Sequence, residues 1–342
     1  MAIATLTIVL GVISFLLAFA IGSNDETFAS VVGVKRLSVR TAVLMGAIIA
    51  IIGGFLLSDA VGKTLRDDIS PQLFNTDYNI DQDPILISIY VAMAISLILA
   101  SVFGLPISST EALVGSILGL SIALGNPINW KWSGMAKVLT TWITSPIIGF
   151  TISFLIMKLV RYILGKTVTS FRKHERANSV FGILLLVMVV WTGLSRAGND
   201  INNAIAPIVP LFDRGEDLSV WTRAFWIDRM PLLIGGIGLG LGLIVIGWRV
   251  LKTLGNEVVE LTPESAFVTE GSAAIVVFFA VIIGIPVSGT MVLVSSFLGA
   301  GVGMNKPIKM KTVWMILLFI VLTPIISGLM AVGCYYSIRW LF

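Results

Sequence analysis

Gly22-Ser23-Asn24-Asp25 breaks an apolar run near the N-terminus, and Gly198-Asn199-Asp200 breaks a second run at the corresponding point of the other half. A second pair of strings repeats in the same way. Gly104-Leu105-Pro106-Ile107-Ser108-Ser109-Thr110 is matched by Gly284-Ile285-Pro286-Val287-Ser288-Gly289-Thr290. Asn-Asp and Ser-rich turns set into apolar sequence, each present twice, predict two membrane-embedded halves with a polar site where they meet.

The surrounding composition supports this. The chain has 342 residues, is 56% hydrophobic and 12% charged, and has a mean hydropathy of +0.98. A soluble domain carries about 25% charged residues. Residues 6–21, 42–57, 84–100 and 313–334 approach or exceed the length of about 20 residues that spans a bilayer. The predicted fold class is an all-α polytopic membrane protein, since open sheets and loops cannot face lipid. A β-barrel would instead show strands of about 10 residues with alternating polarity. The net charge of +4 and pI near 9.2 do not indicate nucleic acid; the basic residues sit in short loops, where they set topology. Ala18-Phe19-Ala20 mimics a signal cleavage site, but no basic segment precedes it, and residues 3–34 read as a first, interrupted membrane helix. Cys334 and His174 are single, which removes thiol and histidine metal chemistry.

Basic residues mark the cytoplasmic side. They are Lys35, Arg36 and Arg40, then Arg161, Lys166, Arg172, Lys173 and Arg176, then Lys306, Lys309 and Lys311. The loop at 63–83 is acidic. Alternating the runs across the membrane from these marks places both termini outside. The two halves then have opposite orientation, an inverted-topology repeat with broken helices and helical hairpins. The expected division is a first repeat at 1–165, a cytoplasmic linker at 166–178 and a second repeat at 179–342. The loop at 249–270 is predicted inside although it holds Glu257, Glu260, Glu264 and Glu270. Gly235-Gly236-Ile237-Gly238 and the glycines after it read as close helix packing.

In each turn string, Gly and Pro end one helix, and Ser or Thr opens the next as an N-cap. A helix N-terminus carries free N–H groups and partial positive charge, which suit an anion. Ser108, Ser109, Thr110, Ser288, Gly289 and Thr290 are therefore candidate donors to a tetrahedral oxyanion. Asp25 and Asp200 are carboxylates inside membrane helices, costly there unless functional. With Asn24 and Asn199 they offer hard oxygen ligands, which suit Na⁺ in the absence of His and Cys; Thr27, Asn202 and Asn203 are additional oxygens. Glu111 reads equally as a cation or proton site and as a helix-start residue, and Glu26 is ambiguous in the same way. Arg196 either draws the anion or, on the stronger reading, snorkels to the cytoplasmic interface. An oxyanion about 5 Å from a bare carboxylate is repelled by roughly 3 kcal/mol at an effective dielectric of 20. A cation between them reverses the sign and couples the two ligands.

The strings resemble those of the inorganic phosphate transporter family. Its duplicated Gly-Ala-Asn-Asp-Val-Ala-Asn-Ala string is matched by Gly22–Ala29 and Ala197–Ala204, and its Pro-Val-Ser-Thr-Thr-His string by Pro106–Glu111 and Pro286–Met291. The segment Leu261-Thr262-Pro263-Glu264-Ser265-Ala266-Phe267 is similar too. Glu111 and Met291 stand where the family has His, Phe28 where it often has Asn, and Ser109 and Gly289 where it has Thr. The resemblance implies import of inorganic phosphate coupled to Na⁺, or to H⁺ in some members, across the plasma membrane. No cofactor is expected beyond the co-transported Na⁺. The expected partners are phosphate, Na⁺ and the lipid bilayer, with a homo-oligomer left open. The residues alone also leave open an H⁺-coupled or sulfate transporter. A membrane phosphotransferase is weaker, because no nucleophile is paired with a base.

Overall fold

The computed structural model describes residues 2–57, 82–125, 132–205, 229–257, 261–285 and 287–341. Most of the acidic loop read at 63–83, and Pro286, lie outside them. Every regular element among the described residues is helical: α1 (Ala2–Ser23), α2 (Ala29–Gly33), α3 (Val39–Leu57), α4 (Gln82–Val102), α5 (Ser109–Ala123), α6 (Trp132–Thr167), α7 (Phe171–Ile205), α8 (Met230–Gly242), α9 (Trp248–Glu257), α10 (Pro263–Ile283), α11 (Gly289–Met304) and α12 (Met310–Ile338). A π-helical stretch, Leu243–Gly247, joins α8 to α9, and a 3₁₀ turn, Arg339–Leu341, comes after α12.

Among the described residues, seven helices are long and apolar enough to cross a membrane. Their outward faces carry large apolar side chains such as Ile48, Leu155, Val321 and Leu329, while Asn24, Glu26, Glu111, Asn199, Asp200, Asn203 and Glu270 are buried inside. Apolar residues outside and polar ones inside is the arrangement that lipid as solvent demands. The protein is a multi-pass membrane protein.

Both Ser-rich strings form hairpin tips. Helix α4 ends with Leu105 N donating to Ala100 O at 2.9 Å and Gly104 N to Ser101 O at 3.0 Å. Helix α10 ends the same way through Ile285 N to Ala280 O at 2.8 Å and Gly284 N to Val281 O at 3.0 Å. These are Schellman closures, and they need a left-handed residue. Gly104 (φ 69°) and Gly284 (φ 76°) supply it. Ser108 and Ser288 then cap the next helices, accepting from Glu111 N at 3.3 Å and Met291 N at 3.2 Å. Helices α5 and α11 have 15 and 16 residues, or roughly 23 Å at 1.5 Å per residue. A hydrocarbon core is about 30 Å thick, so neither crosses it alone.

The two Asn-Asp strings differ. The first is unwound between α1 and α2, because Asp25 Oδ1 captures the N–H and O–H of Thr27 at 2.9 and 2.6 Å. Such local side-chain bonds compete with the helical ladder. The second string does not break its helix: α7 continues through Gly198, Asn199 and Asp200 to Ile205. There Asp200 Oδ1 accepts from Ser109 on a neighbouring helix and no nearby backbone N–H, so this carboxylate does not compete with the ladder; Asn202 only shares Gly198 O, at 2.7 Å. The expected linker at 166–178 is mostly helical, with only 168–170 between α6 and α7. Of the expected loop at 249–270, residues 249–257 lie in α9 and 263–270 in α10. Thr262 caps α10 with Pro263 in its first turn, which carries Glu270 two turns into a buried helix.

Packing joins the sequence halves through four pairings, α6 on α11, α12 on α5, α8 on α1 and α3 on α7, while α7 on α10 and α1 on α4 pack within one half. Each pairing has a counterpart when the halves are exchanged. Small residues permit the close approaches. A Cβ on Gly115 would meet the Pro324 backbone at 2.3 Å, and one on Gly299 would meet Phe150 O at 2.3 Å.

Candidate functional site

The two hairpin tips and the two Asn-Asp strings converge. Asn24, Asp25, Glu26, Ser108, Ser109, Arg196, Asp200, Gly289 and Thr290 line one cavity, with Ile21, Leu97 and Ile107 as its apolar wall. Its free volume is about 10 Å³, room for about one water molecule.

Each Asn holds the tip of its own half. Asn24 Nδ2 donates to Ser101 Oγ and Leu105 O, both at 2.9 Å, and its Oδ1 accepts from Ile107 N at 2.7 Å. Its amide is spent on fastening the first tip. Asn199 Nδ2 reaches Val287 O at 3.3 Å and Asp200 Oδ1 at 3.1 Å, and its buried Oδ1 accepts no hydrogen bond. Asn24→Ala should therefore cost about 1–3 kcal/mol, the scale of a buried donor left unpaired. Asn199→Ala should cost less. Melting of the two variants in detergent checks this, and equal shifts would contradict it.

The halves also bond to each other. Ser109 Oγ donates to Asp200 Oδ1 at 3.3 Å, Asn203 Nδ2 donates to Ser109 Oγ at 3.2 Å and Thr110 Oγ1 at 3.4 Å, and Thr110 donates to Val287 O at 3.2 Å. Thr110 and Asn203 thus stand one bond behind the cavity wall. Thr27 and Asn202 serve their own backbone segments and do not line the cavity. Glu111 is fully buried in the first turn of α5, with neither carboxylate oxygen hydrogen-bonded.

Arg196 does not snorkel to the interface. Its guanidinium is buried among three carboxylates, with Nη1 2.6 Å from Glu26 Oε1, Nη2 3.9 Å from Asp25 Oδ1 and Nε 3.9 Å from Asp200 Oδ2. The burial of Glu26 explains the outcome: a carboxylate in the first half, inside the membrane, holds the base from the second half against its tendency to reach water. Among the described residues no group of three or more acidic, His or Cys side chains has metal-binding geometry; these carboxylates gather around a guanidinium instead.

The sequence pattern of the phosphate transporter family matches residues 21–331, which contain all four strings. The chain belongs to the phosphate transporter family. It is a transporter and not an enzyme. A Pyrococcus abyssi protein provisionally named a phosphate permease is 26% identical over 401 residues, covering 98% of each chain. A Thermococcus kodakarensis protein with the same provisional name is 27% identical over 357 residues, covering 85% of this chain and 87% of its own. The solved structure of a sodium-dependent phosphate transporter superimposes with a TM-score of 0.80 at 21% identity, covering 99% of this chain and all of the other.

In this family member the departures from the family strings have visible consequences. Phe28 is buried, and its ring crowds Gly46, where an added Cβ would lie 2.9 Å from it, so it fills core space. Gly289 leaves room for Arg196, since a Cβ there would lie 2.9 Å from the guanidinium carbon. Glu270 is a further buried carboxylate, on a helix where the charge pattern predicts a loop. Its Oε1 accepts from Ser30 Oγ at 2.5 Å, while Oε2 has no hydrogen bond. Thr262 before Pro263 is the N-cap and first-turn signal that could have located it.

Proposed function

We propose that the protein imports inorganic phosphate together with Na⁺ across the plasma membrane by alternating access. Family membership supports phosphate as cargo. The observation that carries the coupling is the charge balance of the central cavity. Asp25, Glu26 and Asp200 face the cation Arg196, so this cluster, when ionised, bears two excess negative charges. Phosphate entering it is repelled by about 3 kcal/mol for each uncompensated unit charge at 5 Å and an effective dielectric of 20. Na⁺ on the Asp25 and Asp200 oxygens removes that repulsion and makes the two ligands bind cooperatively. Ser109 and Thr290, which line the cavity, are with the N–H groups opening α5 and α11 the donors to the anion.

Movement is compatible with the packing. Each hairpin tip rides on the long helix of the opposite half, α12 on α5 and α6 on α11. The moving units in this reading are those interleaved bundles, related as inverted repeats, and not the sequence segments 1–165 and 179–342. The cavity is smaller than phosphate, so the tips must part on one side to admit it.

The deciding experiment is uptake of labelled phosphate into proteoliposomes under imposed Na⁺ or H⁺ gradients, with sulfate as competitor. Na⁺-driven accumulation resistant to sulfate supports the reading. Accumulation driven only by a pH gradient would replace it with H⁺ symport, the alternative favoured by the buried carboxyl group of Glu111, whose oxygens have no hydrogen bond. Ser109→Ala and Thr290→Ala should each raise the phosphate KM by about fivefold, the equivalent of one neutral hydrogen bond of about 1 kcal/mol. Unchanged KM in both would remove the tips from the anion site.

A further inference from the structure

Arg196 is the cation at the centre of the cluster, and hairpin-tip donors alone do not account for its geometry. It is 6% exposed. Glu26 anchors one end of the fork through Nη1 at 2.6 Å. Asp25 and Asp200, at 3.9 Å from Nη2 and Nε, are beyond hydrogen-bond distance. Nε therefore donates no hydrogen bond, although it is buried. A buried donor left unpaired is costly and calls for an explanation.

The free edge of the fork faces the beginning of α11. A Cβ on Gly289 would lie 2.9 Å from both Nε and Cζ, so any larger residue would displace the guanidinium. Gly289 is the first residue of α11, which sets the fork beside the unpaired N–H groups of that helix's opening turn. Ser109, from the other hairpin, lines the same cavity.

We propose that Arg196 binds the transported anion directly, through Nε and Nη2, between the start of α11 and Ser109, and that Glu26 is the positioning residue that holds the fork in place. This rests on the phosphate-transport reading above. A planar guanidinium presents two parallel N–H donors matched to two oxygens of a tetrahedral oxyanion. Na⁺ on Asp25 and Asp200 competes with Arg196 for those carboxylates and so turns its donors toward the anion. Glu26 and Arg196 come from opposite halves. Glu26 directly follows the first Asn-Asp pair, and Arg196 lies two residues before Gly198 of the second string. They form one unit, an anchored cation.

The test uses reconstituted wild type, Arg196→Gln, and the double variant Glu26→Gln/Arg196→Gln. The double variant removes both buried charges together, so the fold keeps no orphaned carboxylate from this pair. In both variants the phosphate KM should rise at least about tenfold, the scale of one or two charge-assisted hydrogen bonds, while the half-saturating Na⁺ concentration, measured at saturating phosphate, does not rise, because Arg196 no longer competes for Asp25 and Asp200. Size-exclusion chromatography identifies a single variant that fails to fold, and the double variant then decides. A double variant with wild-type phosphate KM would mean that Arg196 only balances Glu26, which overturns the proposal and leaves phosphate transport standing. Wild type that accumulates no phosphate would overturn both.

Discussion

Asp25→Asn and Asp200→Asn are each expected to abolish the Na⁺-stimulated component of phosphate uptake. The substitution removes a charge and little else. Asp25 Oδ1 accepts two hydrogen bonds from Thr27, and Asp200 Oδ1 accepts from Ser109 and Asn199. An asparagine side-chain oxygen can accept the same bonds, so the unwound segment after α1 and the link between α7 and the first hairpin tip survive. What is lost is the negative charge in a water-poor site. Removing one partner from a buried charged set costs roughly 3–5 kcal/mol, or about two to four powers of ten in affinity. The half-saturating Na⁺ concentration should therefore rise at least about a hundredfold, beyond what a physiological gradient supplies. Labelled phosphate uptake over a Na⁺ titration measures this. Wild-type Na⁺ dependence in both variants would refute the assignment of the ion site.

The second large effect is structural. Helices α1 and α8 touch backbone to backbone at two reciprocal points. A Cβ on Gly22 would come within 1.9 Å of Leu239 O, and a Cβ on Gly242 within 1.9 Å of Phe19 O. Neither neighbour is a flexible side chain that could swing away. Even alanine must push the two helices apart, and overpacking of this kind costs about 1–3 kcal/mol or more. Gly22 also immediately precedes Ser23 and Asn24, which fasten the first hairpin through Ser101 and Leu105. Gly22→Ala and Gly242→Ala should each lower the melting temperature in detergent, and Gly22→Ala should reduce uptake as well. Gly11→Ala on the same helix α1 is the control. A Cβ there meets nothing within 4 Å, and alanine favours the helix by roughly 0.5–1 kcal/mol. Equal melting of all three variants would contradict the packing account.

Much of the site is legible in the amino-acid sequence. The turn strings carry their own geometry: Gly104 and Gly284 take up the left-handed conformation, and Ser108 and Ser288 cap helices α5 and α11. These are local backbone preferences, decided within six or seven residues. The embedded Asp25 and Asp200 are conspicuous for a different reason, the cost of a carboxylate in an apolar run.

Other features are not legible in this way. The Gly198-Asn199-Asp200 string looks like its counterpart, yet α7 passes through it unbroken. Whether an Asp unwinds its own helix depends on where its oxygens find donors. Asp25 finds them two residues on, and Asp200 finds Ser109 in the other half. Asn24 offers an amide oxygen to a cation on paper, but Ile107 N takes it. Arg196 reads as a residue free to reach the interface, and only the fold sets Glu26, from the opposite half, 2.6 Å away from it.

The sequence by itself determined the membrane class, the two matched pairs of strings and the hairpin turns, because hydropathy and turn chemistry act over short stretches of chain. Only the tertiary structure decided which polar groups face each other. That depends on how glycine-lined helices such as α1 and α8 approach, and so on contacts between residues far apart in the chain. The carboxylates proposed to hold Na⁺ surround a guanidinium for the same reason: burial within the membrane leaves each charge no partner but the one that packing brings to it.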